Sequence, residues 1–220
     1  TILMSWAVWH GLNMSDGVRL SEQVISQLPV SGVSNPVTAV LLNFRAYDTL
    51  LELAVVLTAV LTVLTLNEKR AGYTVSSPLL QGMTRWLVPL LVVTSGYLLW
   101  VGAHAPGGAF QAGAMLAAAM ILLQLAYPSR RQELNNNLLK ILLVIGIFTF
   151  VLVGLWMMSL NDDFLAFTPA LAGTLILIIE TAATLSIATA LTLAYLGGRP
   201  QGWEDGNHTD SKIAENGGAE

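Results

Sequence analysis

The chain alternates long apolar runs with short polar breaks, as a protein does when it crosses a membrane several times. A run of about 20 apolar residues is long enough to span the hydrocarbon core of a bilayer. Such runs predict five membrane-spanning helices, at residues 36–66, 86–102, 107–126, 138–160 and 169–196. A further apolar segment, 2–12, is too short to span alone and predicts a partial or interfacial helix. The pattern therefore predicts an all-α, polytopic membrane protein with five to six transmembrane helices.

Composition narrows the class of protein further. Of the 220 residues, 54% are hydrophobic and 11% are charged, whereas a soluble domain carries about a quarter charged residues. The absence of cysteine excludes disulfides and thiolate metal sites. The net charge of −4 offers no basic patch for nucleic acid. The three histidines, His10, His104 and His208, lie far apart in the sequence, and no nucleophile–base pair or phosphate loop is present. We therefore expect no catalytic residues, no metal site and no cofactor.

Lysine and arginine predict the orientation in the membrane. They concentrate in the connections 67–85 and 127–140 and in the polar, glycine-rich tail 197–220. Because cytoplasmic connections carry an excess of these residues, all three regions are expected on the cytoplasmic side of the inner (cytoplasmic) membrane. The connection 13–34 is predicted to be a polar loop. This loop and the turn at 103–108 are then expected on the outer side of the membrane.

Three charged residues lie on one face of the first long helix. Arg45, Asp48 and Glu52 are spaced by three and then four residues, which places them on the same side of a helix. Arg45 and Asp48 can neutralise each other, so a structural ion pair at the interface is the favoured interpretation for them, and a role in an ion pathway is the alternative. Glu52 is left without a local partner, and intramembrane carboxylates mark ion pathways. Snorkelling of Glu52 to the interface is the alternative.

Glu180 is a second isolated acid, near the middle of the last predicted helix. The helix face that it shares is only mildly polar, with Thr184 and Ala188 on one side and Ile176 and Leu177 on the other. Two interpretations are open. Glu180 is either a neutral carboxyl group bonded to a neighbouring helix, or an ion-pathway residue.

The stretch "HAPGGAFQAG", which begins at His104, interrupts an otherwise continuous apolar run. Pro106, Gly107 and Gly108 end one helix and free backbone polar groups before the next begins. Broken backbone at membrane depth is tolerated only where protein or a watery cavity surrounds it. We expect the amino-terminal end of the new helix to point toward His104, which can exchange protons near neutral pH. The alternative is a tight turn with His104 at the outer interface.

The same stretch, continued as "HAPGGAFQAGAMLAAAMILLQLAY", resembles the signature of the MnhB/MrpB-like subunits of Mrp-type multisubunit Na+/H+ antiporters. That family has a Gly-His-x-x-Pro-Gly-Gly-Gly-Phe-like turn, followed by Gly-Gly and an alanine-rich helix. The positions that fit are His104, Pro106, Gly107, Gly108, Phe110, Gln111 and Gly113. Ala109 and Ala112 replace glycines, and only one residue separates the histidine from the proline. The resemblance covers about 85–196.

A second resemblance covers 35–66. The segment "NPVTAVLLNFRAYDTLLELAVVLTAV" is similar to the carboxy-terminal region of the large subunit of the same antiporters, which is a small separate (MbhE-like) subunit in membrane-bound hydrogenases. The positions that fit are Phe44, Arg45, Asp48, Thr49 and Glu52. The two resemblances together imply a fusion of helices like those of the large subunit (1–66), a cytoplasmic linker (67–84), an MnhB-like four-helix membrane domain (85–196) and a polar cytoplasmic tail (197–220).

The resemblance implies an accessory, non-catalytic subunit that contributes helices and acidic or histidine groups to a Na+ or H+ pathway. The implied partners are larger antiporter-like proton-pumping subunits, small Mrp-type helical subunits and the lipid bilayer. Lys69 and Lys140 lie at loop edges and Lys212 in the tail, so the chain lacks the intramembrane lysine of the pumping subunits. A purely structural scaffold is the alternative. An independent permease would require an internal repeat with matching broken helices, which the sequence lacks.

Overall fold

The computed structural model describes residues 2–13, 20–66, 77–127, 136–161, 164, 165, 167 and 169–197. All regular structure in these residues is helical. The α-helices are α1 (Ile2–Asn13), α2 (Leu20–Gln27), α3 (Pro36–Ala39), α4 (Ala46–Leu66), α5 (Pro78–Val101), α6 (Ala109–Ala126), α7 (Asn136–Asn161) and α8 (Pro169–Gly197). Within the described part of the chain, five helices, α4 to α8, are long and apolar enough to cross a membrane. The predicted class, an all-α polytopic membrane protein, is confirmed.

Helix α8 is the centre of the bundle and packs against α4, α6 and α7. In its most apolar window 61% of the residues are buried, against 17% for α4 and 11% for α5. Helices α6 and α8 run in the same direction, because Ala109 bonds Glu180 and Gly113 lies against Ile187 further along both helices. The start of α6 therefore faces the middle of α8, and the first turns of α8 extend beyond it.

Small residues bring these helices close together. A Cβ atom at Gly113 on α6 would lie 2.8 Å from Cγ2 of Ile187 on α8. A Cβ atom at Gly146 on α7 would lie 2.8 Å from Cβ of Ser186. The Ser186 hydroxyl donates a 2.6 Å hydrogen bond to the carbonyl of Leu143. Close backbone approach and interhelical hydrogen bonds are how helices associate where lipid offers no hydrophobic driving force.

The helix predicted over 36–66 begins as expected but is not continuous. The Asn35 side chain caps its start by accepting from the Val37 N–H at 3.1 Å. After α3 the backbone widens into a π-helical turn, Val40–Phe44, and breaks at Arg45, so that α4 starts at Ala46. The wide turn frees a carbonyl group at Leu41, and the Thr49 hydroxyl donates to it at 2.5 Å.

Three other predicted boundaries are wrong. The connection 13–34 is not a loop throughout, because it contains α2 and a 3-10 turn, Leu28–Val30. Helix α5 starts at Pro78, with the Ser77 side chain as its amino-terminal cap, rather than at 86. Pro89 consequently lies inside α5 and not in its first turn. Helix α6 starts at Ala109, slightly after the predicted 107. The predicted tail, 197–220, lies outside the described residues apart from Gly197.

We expect Gly113→Ala to lower the free energy of unfolding by about 1–3 kcal/mol, because the new methyl group would overpack the contact with α8. Gly96→Ala on α5 is the matched control. No atom lies within 4 Å of its Cβ position, and alanine favours a helix by about 1 kcal/mol over glycine. The measurement is the thermal unfolding midpoint of the purified protein in detergent, and equal midpoints for the two variants would contradict the close α6–α8 contact.

Candidate functional site

The turn between α5 and α6, residues 102–108, folds back onto the end of α5. The N–H of Gly108 donates to the carbonyl of Leu98 at 2.9 Å. A Cβ atom at Gly102 would lie 2.7 Å from the backbone nitrogen of Gly108, and one at Gly107 would lie 2.5 Å from the Leu98 carbonyl oxygen. Gly108 has φ +110°, a conformation that side chains disfavour. The predicted broken-helix turn at 103–108 is therefore present, and its glycines are required by backbone packing.

Residues 34–38, at the start of α3, satisfy the carbonyl groups that this turn frees. The Asn35 side-chain amide donates to the carbonyls of Gly102 at 3.1 Å and Ala105 at 2.8 Å. The Thr38 hydroxyl donates to the same Gly102 carbonyl at 2.5 Å. Backbone N–H groups of Asn35 and of the preceding residue both donate to the Ala103 carbonyl at 3.1 Å. Protein therefore supplies the donors that lipid cannot supply to a broken helix.

Glu180 lies at the amino-terminal end of α6. Glu180 is only 3% exposed. The backbone N–H of Ala109 donates a hydrogen bond to its carboxyl group. Its Oε1 atom would be 3.0 Å from a Cβ atom at Gly108. Its Oε2 atom is buried and has no hydrogen-bond partner among the described residues. The Thr184 hydroxyl donates to the backbone carbonyl of Glu180 at 2.7 Å and not to the carboxyl group.

This arrangement corrects the expectation for His104. The amino-terminal end of α6 was expected to point toward His104, but it bonds the Glu180 carboxyl instead. The physical reason is that α8 runs parallel to α6 with its middle beside the start of α6. His104 is exposed and lies on the wall of a groove of about 760 Å³. Trp100 and Leu28 contribute apolar surface to this groove, and Leu177 lines it one helical turn before Glu180.

The three charges of the first long helix separate into a pair and a single acid. Arg45 and Asp48 form an ion pair, and their side chains are 63% and 44% exposed. An exposed pair of this kind contributes little to stability. Glu52 is exposed on the surface of α4. Within the described residues Glu52 forms no ion pair and no hydrogen bond to Glu180 or His104. Glu52 and Glu180 are therefore two separate acidic positions.

Two other residues of the broken-helix motif differ in burial. Phe110 packs against the main hydrophobic core, and Pro106 is exposed in the turn. Asn35 was predicted only as a helix cap, and its two bonds to the turn at 102–105 were missed because they join segments that are distant in sequence. Gln124 on α6 was also missed, and its Oε1 atom is buried without a partner among the described residues.

Asn35→Asp is expected to lower the free energy of unfolding by about 2 kcal/mol or more, because the carbonyls of Gly102 and Ala105 lose the Asn35 amide as a donor and face a carboxylate. The Gly102 carbonyl keeps its bond from the Thr38 hydroxyl. The cap to Val37 is kept in this variant, so the effect isolates the bonds to the turn. Thr62→Ala is the control. It removes an exposed hydroxyl that bonds only within α4, and a surface change of this kind stays within about 0.5 kcal/mol. Thermal unfolding of both variants gives the comparison, and a change as small for Asn35→Asp as for the control would show that the turn does not depend on Asn35.

Comparisons with known proteins agree with this architecture. Two solved structures are similar over nearly the whole chain. One is a chain of the membrane-bound sulfane sulfur reductase, an archaeal respiratory membrane complex, at 24% identity and a TM-score of 0.72, covering 90% of this chain and 94% of that one. The other is a chain of the Mrp complex from Dietzia sp. DQ12-45-1b, at 24% identity and a TM-score of 0.66, covering 92% of this chain and 25% of that longer one. At these identities the likeness establishes the fold.

Among curated proteins, no significant match is found. A family model described as "Domain related to MnhB subunit of Na+/H+ antiporter" matches residues 79–198, which are 120 of the 220 residues. This range contains the broken turn, α6, α7 and α8, and thus every residue of the Glu180 site. The chain belongs to the family of domains related to the MnhB subunit of Na+/H+ antiporters.

Proposed function

We propose that the protein is an accessory, non-catalytic membrane subunit of an Mrp-type or complex-I-like cation/proton antiporter module. The family match supports membership of a multisubunit cation antiporter-like complex. In this proposal the chain contributes helices and a small number of ionisable groups to a Na+ or H+ pathway. The larger antiporter-like subunits, with their intramembrane lysines, perform the pumping.

The buried carboxyl group of Glu180 carries the proposal. Ionisable groups inside a membrane are costly, and they usually serve ion movement or are paired. Glu180 lies inside the most buried helix, and one carboxyl oxygen accepts from Ala109 while the other has no partner among the described residues. A purely structural carboxyl group would be expected to have both oxygens occupied. In our proposal the unpartnered oxygen is the position at which an ion is taken up and released.

His104 extends the pathway toward the end of the bundle that holds the broken turn. The groove that it lines reaches Leu177, which precedes Glu180 by one turn of α8. In our proposal an ion enters by this groove on the outer side, passes His104 and reaches Glu180 when the side chain of Leu177 moves aside. The orientation follows the distribution of lysine and arginine.

Helices α1 to α4 supply a second position and the contacts to partners. We propose that residues 1–66 correspond to the carboxy-terminal region of the large antiporter subunit and are fused to the MnhB-like domain, with the tail 197–220 on the cytoplasmic side. The linker was predicted over 67–84, but α5 begins at Pro78 and the family match at residue 79, so the fusion joint is proposed to precede Pro78. Glu52 is exposed on α4, and only 17% of the apolar window of that helix is buried. Because lipid would not accommodate an unpaired carboxylate, this face of α4 is expected to meet a partner protein.

The alternative function is a scaffold, in which the acids only hold helices together. The bond between Ala109 and the Glu180 carboxyl favours it, because that bond joins α6 to α8. The two functions predict different results for substitutions that remove the charge and keep the shape.

Glu180→Gln is expected to lower ion-coupled transport by the assembled complex by about 100-fold, within the range that a positioned proton-transferring group contributes. Assembly should be almost unchanged, because the glutamine amide oxygen can still accept from the Ala109 N–H. The control is Glu22→Gln, which changes an exposed acid on α2. Transport is measured in vesicles, with assembly scored on the same sample. Normal coupling in a fully assembled Glu180→Gln complex would favour the scaffold.

Glu52 is tested by a series of three substitutions in the same assay. If Glu52 carries or gates ions, Glu52→Gln abolishes coupling without loss of assembly, and Glu52→Asp keeps part of the activity because it keeps the charge. If Glu52 is structural, Glu52→Gln is nearly silent, and Glu52→Leu reduces assembly through a lost hydrogen bond to the partner. The second pattern would remove Glu52 from the pathway and leave the proposal resting on Glu180.

A further inference from the structure

Helix α5 is packed on one side and open on the other. On the packed side the Ser95 hydroxyl donates to the Ala112 carbonyl of α6 at 2.8 Å, and the other buried residue, Thr84, lies three turns earlier on the same side. The open side carries a stripe of large side chains spaced alternately by four and three residues, which places them on one helix face. The members of this α5 stripe are Trp86, Leu90, Val93, Tyr97 and Trp100.

The α5 stripe is exposed along its whole length. The exposed fraction of its side chains runs from 61% at Leu90 to 83% at Trp86. A continuous apolar surface of this kind is a contact surface for a membrane or for another protein. The order of residue types along the stripe and the position of the nearest charge both bear on which of the two covers it.

Aromatic residues stand at the two ends of the α5 stripe and aliphatic residues stand between them. Trp86 and Trp100 are 14 residues apart, which is about 21 Å along a helix axis. This distance is most of the ~30 Å thickness of a hydrocarbon core. Leu90 and Val93 occupy the middle, and Tyr97 lies one turn before Trp100. Tryptophan and tyrosine concentrate at the two membrane interfaces, with aliphatic side chains between, so the order fits a helix face in lipid.

The charge on α5 lies where a lipid headgroup would meet it. Helix α5 has 24 residues and one charged side chain, Arg85, which directly precedes Trp86. This is the end of α5 that is expected on the cytoplasmic side. A long cationic side chain can extend along the helix to the interface, and the anionic lipids of the cytoplasmic leaflet attract it. The charge and the aromatic ring therefore mark the same level of the membrane.

The open face of α4 has a different character. It carries the acid Glu52, with Ala59 seven residues later on the same side, and the exposed hydroxyl groups of Thr58 and Thr62. Small and hydroxyl-bearing residues are typical of contacts between helices inside a membrane. The stripe on α5 contains neither kind of residue. The two open faces of the chain therefore suit different surroundings.

We propose that the α5 stripe faces the acyl chains of the bilayer in the assembled complex, and that Trp86 and Trp100 lie at the two membrane interfaces. Helix α5 then forms part of the outer wall of the complex, and partner subunits reach the chain from the side of α4. The broken turn begins at Gly102, two residues after Trp100, so it lies at the outer interface. The groove that Trp100 and His104 line opens at the same level. This inference does not depend on the role of Glu180.

The test is the accessibility of a nitroxide spin label on the assembled complex in lipid vesicles. The chain has no cysteine, so Val93→Cys supplies one attachment point, and wild-type complex treated with the same label gives the background. Molecular oxygen dissolves in acyl chains, whereas a nickel chelate stays in water. We expect frequent collisions of the Val93→Cys label with oxygen and a loss of collisions with nickel. Met83→Cys, which is exposed one turn beyond Trp86, should collide more with nickel and less with oxygen.

Ala59→Cys is the comparison on α4, and its label should be shielded from both reagents by a partner subunit. A Val93→Cys label shielded from both would mean that a partner helix covers α5, for example over Gly96 beside the stripe, and would overturn the inference. Frequent nickel collisions at Val93→Cys would overturn it as well. If Val93→Cys does not assemble, Leu90→Cys takes its place on the same stripe with the same expected result.

The outcomes distinguish this inference from the proposed function. An oxygen-accessible label at Ala59→Cys rejects the partner contact proposed for α4, while an oxygen-accessible label at Val93→Cys still supports a lipid-facing α5. Equal nickel collisions at Met83→Cys and Val93→Cys would contradict an interface at Trp86. Transport by Glu180→Gln is a separate measurement, and its result leaves the label accessibilities unchanged.

Discussion

Buried backbone polar groups that leave a helix must be satisfied by protein, and this constraint organises the molecule. The turn between α5 and α6 exposes the carbonyls of Gly102, Ala103 and Ala105, and residues 34–38 donate to all three. The amino-terminal segment that ends with α4 and the MnhB-related domain are therefore joined by hydrogen bonds at the point where the helix breaks. The broken turn is stable because the two parts are packed together, and neither part alone holds all the donors and acceptors.

The same break creates the chemistry of the site. Because α6 starts late, its first N–H groups face the middle of α8 and the carboxyl group of Glu180. Gly108 allows this approach, since a side chain there would press against Glu180 Oε1 and would require an unfavourable φ. A continuous helix would present no free N–H groups at this depth. The helix end and the buried acid are consequently two halves of one site, although they lie far apart in the sequence.

The sequence predicts the parts of this structure that depend on local pattern. Apolar run length predicts the five spans, and Asn35-Pro36 predicts the start of α3. The break at Arg45 could not be predicted, because no proline or glycine marks it. The Thr49 hydroxyl stabilises the break, but nothing in the sequence distinguishes Thr49 from other threonines in a helix. The partner of Glu180 could not be predicted either. It depends on the parallel direction and the offset of α6 and α8, which packing determines.

The two unpaired acids differ in a way that bears on how such a chain works within an assembly. Glu180 lies in α8, which the chain's own helices bury, whereas Glu52 lies exposed on α4, which they mostly leave uncovered. A carboxylate in lipid is costly, so in the proposed function the surroundings that make Glu52 tolerable come from a partner subunit. Glu180 is surrounded by this chain alone. The chain's own helices therefore enclose the carboxyl group of Glu180 and leave that of Glu52 at the outer surface of the bundle.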